Sequence, residues 1–180
     1  MTFPELMQAI RASYVEVLAA AVADREPALR EAALRRADGS LGLDGDPPTP
    51  VRVDLIDAGG QRTIDAARQL QFDAFSFELS GMQVTVSPFT WDWLALAVDG
   101  DGATATQVCA EWFMRWFDAQ DEQEPSDDGL RRVVHHMTDA VATLGGIELH
   151  VDLGSVSDEA VDDLLFSLAQ AGMRAARLGA

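Results

Sequence analysis

Apolar side chains fall three and four residues apart at the start of the chain: Phe3, Leu6, Met7, Ile10, Tyr14, Val17 and Ala21. That spacing places them on one face of a helix of about twenty residues. Thr2-Phe3-Pro4-Glu5 supplies its capping box, with a hydroxyl at the N-cap, a glutamate three positions on, and a proline where a missing N–H costs little. Asp24 and Pro27 punctuate the pattern, and "ALREAALRRADG" over 28–39 reads as a second helix closed by Gly39. The segment "DGSLGLDGDPPTP", residues 38–50, is too rich in Gly and Pro for either regular element and reads as a loop.

From residue 51 the period becomes two. Val51, Val53 and Leu55 alternate with Arg52, Asp54 and Ile56, and Asp57-Ala58-Gly59-Gly60 turns the chain. Residues 62–70 fit either a strand or a short helix. Phe75, Phe77 and Leu79, then Met82, Val84 and Val86, form a hairpin with one apolar face, turning at Ser80-Gly81. "WDWLALAV" over 91–98 is a further strand, with Trp91 and Trp93 on one side and Leu94, Leu96 and Val98 on the other. Such a strand is expected to be covered on both faces.

Thr104 to Gln107 reads as the cap of a helix in which Ala105, Val108, Cys109, Trp112, Phe113, Trp116 and Phe117 make one continuous stripe, wide enough to pack on a sheet. The acids that follow, Asp118, Asp121, Glu122, Glu124, Asp127 and Asp128, carry no stripe and form an exposed loop over 118–129. Leu130, Val133, Val134, Met137, Val141 and Leu144 repeat at helical spacing until Gly145-Gly146. "IELHVDL" then alternates as a strand. Ser157 caps a helix bearing Val161, Leu164, Leu165 and Leu168, Gly172 ends it, and "MRAARLG" gives a last short strand. The expectation is a single α+β domain over 1–180, with two N-terminal helices and a mainly antiparallel mixed sheet of five to seven strands. Three further helices pack on that sheet, and a strand-helix-strand unit closes the chain.

Charge narrows the range of partners. Thirty acids against thirteen bases give a net charge of −17, a field that repels nucleic acid and anionic membranes and favours a basic protein partner. Solubility alone would also account for an acidic surface. The bases are all Arg, and Lys and Asn are absent, as in a GC-rich bacterial genome. No apolar run reaches the length of a bilayer span, Glu16 interrupts "ASYVEVLAAAVA", and Glu5 stands where a signal peptide would be basic. A cytoplasmic protein is expected. The single Cys109 has no disulfide partner and, within the stripe, should be a protonated thiol.

Two function classes remain. The first is a non-catalytic interaction protein, of the kind an inhibitor or toxin-neutralising protein represents. Its acidic loop, Asp118, Asp121, Glu122, Glu124, Asp127 and Asp128, would engage a basic partner, with Trp91 and Trp93 as an aromatic platform if they face solvent. The second is a small metal-dependent hydrolase. It would use His135 and Asp139, four apart on a helix, with His150 and Asp152 on one strand face, a donor set suited to Zn, Mn or Fe. No HExxH pattern, phosphate loop or nucleophile elbow supports chemistry, and Ser155 and Ser157 read as capping residues. The interaction reading is favoured, with no cofactor. Phe166, off the main stripe of its helix, suggests a second contact surface, a homodimer face included.

Overall fold

The computed structural model describes residues 1–23, 28–44 and 49–179. The first helix, α1 (Phe3–Ala23), is capped as its sequence indicates: the Thr2 amide donates to Glu5 Oε2 at 2.7 Å and the Glu5 amide to Thr2 Oγ1 at 3.4 Å. By length and composition α1 could cross a membrane. In this fold its Leu6, Met7, Ile10, Tyr14, Leu18 and Val22 are buried in the core.

The segment expected to be a second helix is extended. Leu29–Ala33 is strand β1, and Arg35 bridges Leu41. Ala, Leu and Arg favour helix locally, but Glu31 is drawn inward by a partner over a hundred residues away, and tertiary contact overrides propensity. Short strands β2 (Leu43–Asp44) and β3 (Thr49–Pro50) pair within the expected 38–50 loop, while residues 45–48, like Asp24 and Pro27, lie outside the described residues. Strand β4 (Arg52–Asp57) pairs antiparallel with β1 and with β5 (Gly60–Arg62), making a three-stranded sheet. Residues 63–74 form neither strand nor helix.

The large sheet has seven strands. Its path begins with β10 (Val141–Ala142), β11 (Gly146–Asp152) and β8 (Leu94–Asp99), and continues through β12 (Ala175–Leu178), β7 (Met82–Val86) and β6 (Phe75–Leu79). Strand β9 (His136–Met137) joins β10 on the outer edge of β11. Only β12 and β7 run parallel, so the sheet is mainly antiparallel. The β6–β7 hairpin turns at Ser80 (φ 49°) and Gly81 (φ 88°), the two positive-φ positions of a tight primed turn.

Helix α2 (Gly102–Phe117) lays its stripe on the sheet, burying Ala105, Cys109, Trp112, Phe113 and Phe117, with Val108 and Trp116 half-buried. Burial pushes the Cys109 thiol up to about 12, which keeps it protonated. The cap is Asp101 rather than Thr104: its Oδ1 accepts from the Thr104 amide at 2.8 Å. Helix α3 (Glu159–Gln170) connects β11 to β12, crossing over β8, which lies between those strands. That is the expected C-terminal strand-helix-strand unit. Ser157 does not cap α3 by its side chain; the N-cap is Asp158, without a side-chain hydrogen bond.

The expected helix over 130–144 is absent. Residues 130–135 are irregular, and β9 and β10 follow. Leu130, Val133, Val134 and Met137 are buried nonetheless, so their helical spacing reports burial of a chain that bends across the sheet edge. With 28–39 also extended, two helices rather than the expected four follow α1 among the described residues. The strand through 94–99 is also less enclosed than expected. Leu94, Leu96 and Val98 are buried, whereas Ala95, Ala97 and Asp99 face a half-exposed surface.

Trp112 donates its Nε1–H to the Ala160 carbonyl at 2.8 Å and Trp116 to Asp163 Oδ2 at 2.8 Å, so both join α2 to α3. Trp112→Ala should cost about 3–5 kcal/mol in urea unfolding. Trp116→Ala should cost clearly less, because its ring is half-buried; equal losses would place both rings in the same environment.

Candidate functional site

Strand β4 inverts the expected alternation. Arg52 and Asp54 are 3% and 4% exposed, while Val51 and Val53 are half-buried. On β1, Glu31 is fully buried and Leu29 is 64% exposed. Arg30 pairs with Leu55 and Ala32 with Val53, which sets Glu31 across from Asp54. Like charges in that position repel, and a cation must stand between them.

His135 supplies it. Its Nε2 lies 2.7 Å from Glu31 Oε1, and its Nδ1 lies 3.1 Å from Asp54 Oδ1 and 3.8 Å from Asp152 Oδ2. The ring is 1% exposed. The Nδ1–Asp54 contact is an ion pair outside hydrogen-bonding geometry. The other carboxylate oxygens are held by main-chain donors: the Arg131 amide to Glu31 Oε2, the Ile64 amide to Asp54 Oδ2 at 2.6 Å, and the Gly154 amide to Asp152 Oδ1 at 2.9 Å. Ser155, fully buried, hydrogen-bonds Glu31 and accepts the Arg132 amide at 2.8 Å, so it belongs to this cluster rather than to a helix cap.

The local backbone is built for this contact. Glu31 adopts φ 49°, a left-handed conformation that a β-strand residue takes only under constraint. Gly154 has φ 53°, and a Cβ there would lie 2.3 Å from the His135 ring, so only glycine fits. Its carbonyl accepts the Trp91 Nε1–H at 3.0 Å. His135 also ties the sheets together through its main chain: its amide donates to the Asp152 carbonyl at 3.0 Å and its carbonyl accepts the Arg52 amide at 2.8 Å.

Protonation follows from this geometry. Burial pushes His135 down, but the Asp54 and Glu31 contacts and the Asp152 charge outweigh it and hold the imidazole well above its ordinary value. Burial pushes Glu31 up, and the His135, Ser155 and Arg131 hydrogen bonds bring it below the usual carboxylate range. Asp152 is pushed up to about 6, by burial first and by Asp54 and Asp92, against the opposing pull of His135 and the Gly154 amide. Burial and the same carboxylates raise Tyr14.

Arg52 connects this cluster to the acidic loop. Its Nε donates to the Phe117 carbonyl at 2.7 Å, Nη1 to the Glu31 carbonyl at 2.6 Å and Nη2 to the Asp118 carbonyl at 2.5 Å. It therefore satisfies the carbonyls that end α2, and it lies 4.8 Å over the Phe117 ring. Nη2 also pairs with Asp121 Oδ1 at 2.8 Å, and Arg35 takes the other Asp121 oxygen at 2.8 Å. Asp118 accepts the Glu122 and Gln123 amides at 3.0 Å each. Asp128 accepts Ser126 and the Leu130 amide and pairs with Arg132. Three of the loop's acids thus anchor it, while Glu122, Glu124 and Asp127 are exposed.

Trp91 and Trp93 do not share a face. The turn at 91–92 sends Trp91 into the core and leaves Trp93 51% exposed, stacked on His150 with ring centroids 4.9 Å apart. Of the four residues grouped for metal binding, His135 and Asp152 meet, while His150 is turned to Trp93 and Asp139 lies on the segment joining β9 to β10. Among the described residues no three His, Cys, Asp or Glu side chains are arranged to hold a metal ion. No family model, curated protein or solved structure matches the chain.

Removing His135 would leave Glu31 and Asp54 opposed in the core. His135→Leu should therefore destabilise by about 3–5 kcal/mol in urea unfolding; a loss below about 0.5 kcal/mol, the size of a surface change, would contradict the cluster's role.

A raised Asp152 binds its proton more tightly in the folded chain, so its contribution to stability is lost as pH rises through about 6. The raised His135 likewise contributes at low pH and loses that contribution as pH climbs through its folded value. Lowered Glu31 contributes above the ordinary glutamate range and loses it as pH falls through its folded value. Asp152 therefore lowers stability as pH rises from its ordinary value of 3.8 to about 6, and His135 carries the decline above 6.5. Asp152→Asn, which keeps an oxygen for the Gly154 amide, should flatten the pH profile of stability between about 4 and 6; parallel profiles for both proteins over that window would show that Asp152 does not shape it.

Proposed function

We propose that this chain is a non-catalytic interaction protein that recognises a basic protein partner, as an inhibitor or toxin-neutralising protein does. The observation that carries this reading is the division of labour in the 118–129 loop. Asp118, Asp121 and Asp128 are spent on main-chain amides, Arg35, Arg52 and Arg132, and these bonds hold Glu122, Glu124 and Asp127 outward. A recognition loop ordered before binding loses less conformational entropy when the partner arrives.

Net charge supports the same reading, since a field of −17 speeds the approach of a cationic surface and slows that of an anionic one. The buried His135 cluster supports it too, because a ring closed on both sides by carboxylates is a joint between sheets rather than a group presented to substrate.

Partners can be recovered from the source cell on immobilised protein, identified, and their association followed at two salt concentrations. Glu122→Gln, Glu124→Gln and Asp127→Asn together should slow association of a basic partner and weaken its salt dependence. Stability should change by less than about 0.5 kcal/mol, as for surface substitutions generally. Recovery of the same partner at the same rate by both proteins would remove the loop from recognition.

A further inference from the structure

The large sheet ends at β6, and the helices over it leave an apolar groove at that end. Phe77 and Leu79 of β6, Phe3 and Pro4 of α1, and Leu165 and Phe166 of α3 line a space of about 500 Å³. Phe166 is 52% exposed at its side. Asp162 and Asp163 form the rim, on a helix that also begins with Asp158 and Glu159. Asp163 is oriented by Arg115 and by the Trp116 indole at the end of α2, directly before the acidic loop. The groove and the loop therefore belong to one stretch of surface.

The second observation is the strand edge. On its inner side β6 pairs with β7 along its length, and among the described residues no backbone hydrogen bond reaches its outer side. An unpaired edge offers main-chain donors and acceptors to an incoming strand. The side chains of β6 alternate: Phe75, Phe77 and Leu79 are half-buried, while Ser76 and Glu78 are exposed on the opposite face.

We infer that β6 and this groove dock an extended segment of a basic partner protein, added to the sheet as an eighth strand. This deepens the interaction reading above and rests on it. Side chains two apart on the added strand, roughly 6.6 Å from one another, would enter the groove beside Phe77. Those between would pass Glu78 on the other face, so the segment alternates apolar with Arg or Lys. A second copy of the chain fits poorly, because each carries −17 and would set its acidic rim against another.

The test is an NMR titration of the full-length chain with a peptide of about seven residues alternating valine and arginine, long enough to cover one strand. Shifts should centre on the Ser76, Phe77 and Glu78 amides. Three changes should each weaken binding at least ten-fold: glutamate in place of arginine, N-methylation of the peptide edge facing β6, and Phe166→Ser in the protein. The variant neutralised at Glu122, Glu124 and Asp127 should keep the β6 shifts. No β6 shift at millimolar peptide would overturn the groove while leaving the loop reading to its own partner test. Insensitivity to N-methylation would exclude strand addition. Equal binding of the arginine and glutamate peptides would exclude a basic occupant, and dimerisation abolished by Phe166→Ser would assign the groove to a second copy instead.

Discussion

Glu31 and Asp54 stand opposite one another on paired strands inside the protein, and the fold exists only if something positive separates them. His135 does so, from a segment with no regular structure. The contact is electrostatically demanding: three carboxylates surround one imidazole, and each of them also takes a main-chain N–H. Taking such groups out of water is costly unless all are satisfied. The return is positional. Because His135 bonds to β11 and β4 through its main chain and to β1 and β4 through its ring, the small sheet can sit in one place on the large one.

Arg52 extends that fixation outward. It leaves β4 beside the His135 carbonyl and reaches the last carbonyls of α2, the Glu31 carbonyl and Asp121. One fully buried guanidinium thus sets the end of an aromatic helix and the start of the acidic loop relative to the same strand. A fork of fixed N–H directions suits this task; a lysine ammonium, with donors on a single atom, would not span the same acceptors. The loop owes its shape to the interior, although its composition alone suggests a chain free in solvent.

What the sequence disclosed was local. The capping box of α1, the aromatic stripe of α2, the Ser80-Gly81 hairpin and the C-terminal strand-helix-strand unit each rest on residues close together in the chain, and each forms. The failures share a different cause. Residues 28–39 and 130–144 have helical spacing, yet Glu31 and His135 find each other across 104 positions, and that pairing draws Glu31 into a strand and His135 into an irregular segment instead of helices. Hydropathy points Val51, Val53 and Leu55 inward on β4; Leu55 is buried, but Arg52 and Asp54 take the inner side from Val51 and Val53 because their partners lie inside. The sequence does carry a signal: charged residues stand at 31, 52 and 54 next to Ala32, Val51, Val53 and Leu55, with one of only three histidines elsewhere to meet them. Pairing them required knowing the topology. The acidic loop was legible as exposed and acidic, but its anchoring was not, since Arg35 and Arg52 come from a different part of the chain.

The distribution of arginine decides what the surface can meet. Arg35, Arg52, Arg62, Arg115, Arg132 and Arg177 all pair with acids of the same chain. With thirteen bases in total, much of the cationic charge is engaged within the fold rather than offered outward. Exposed carboxylates stand at Glu122, Glu124 and Asp127 on the loop and at Glu159 and Asp162 in the first turn of α3. Arg115 and Trp116 lie between these two groups, at the end of α2. A cationic surface approaching one group therefore enters the field of the other, and charge guides it before any apolar contact forms. Apolar surface lies at the end of that path, where Phe166 is half-exposed beside the half-buried Phe77, so the proposed partner would be steered by charge and held by burial at a single surface.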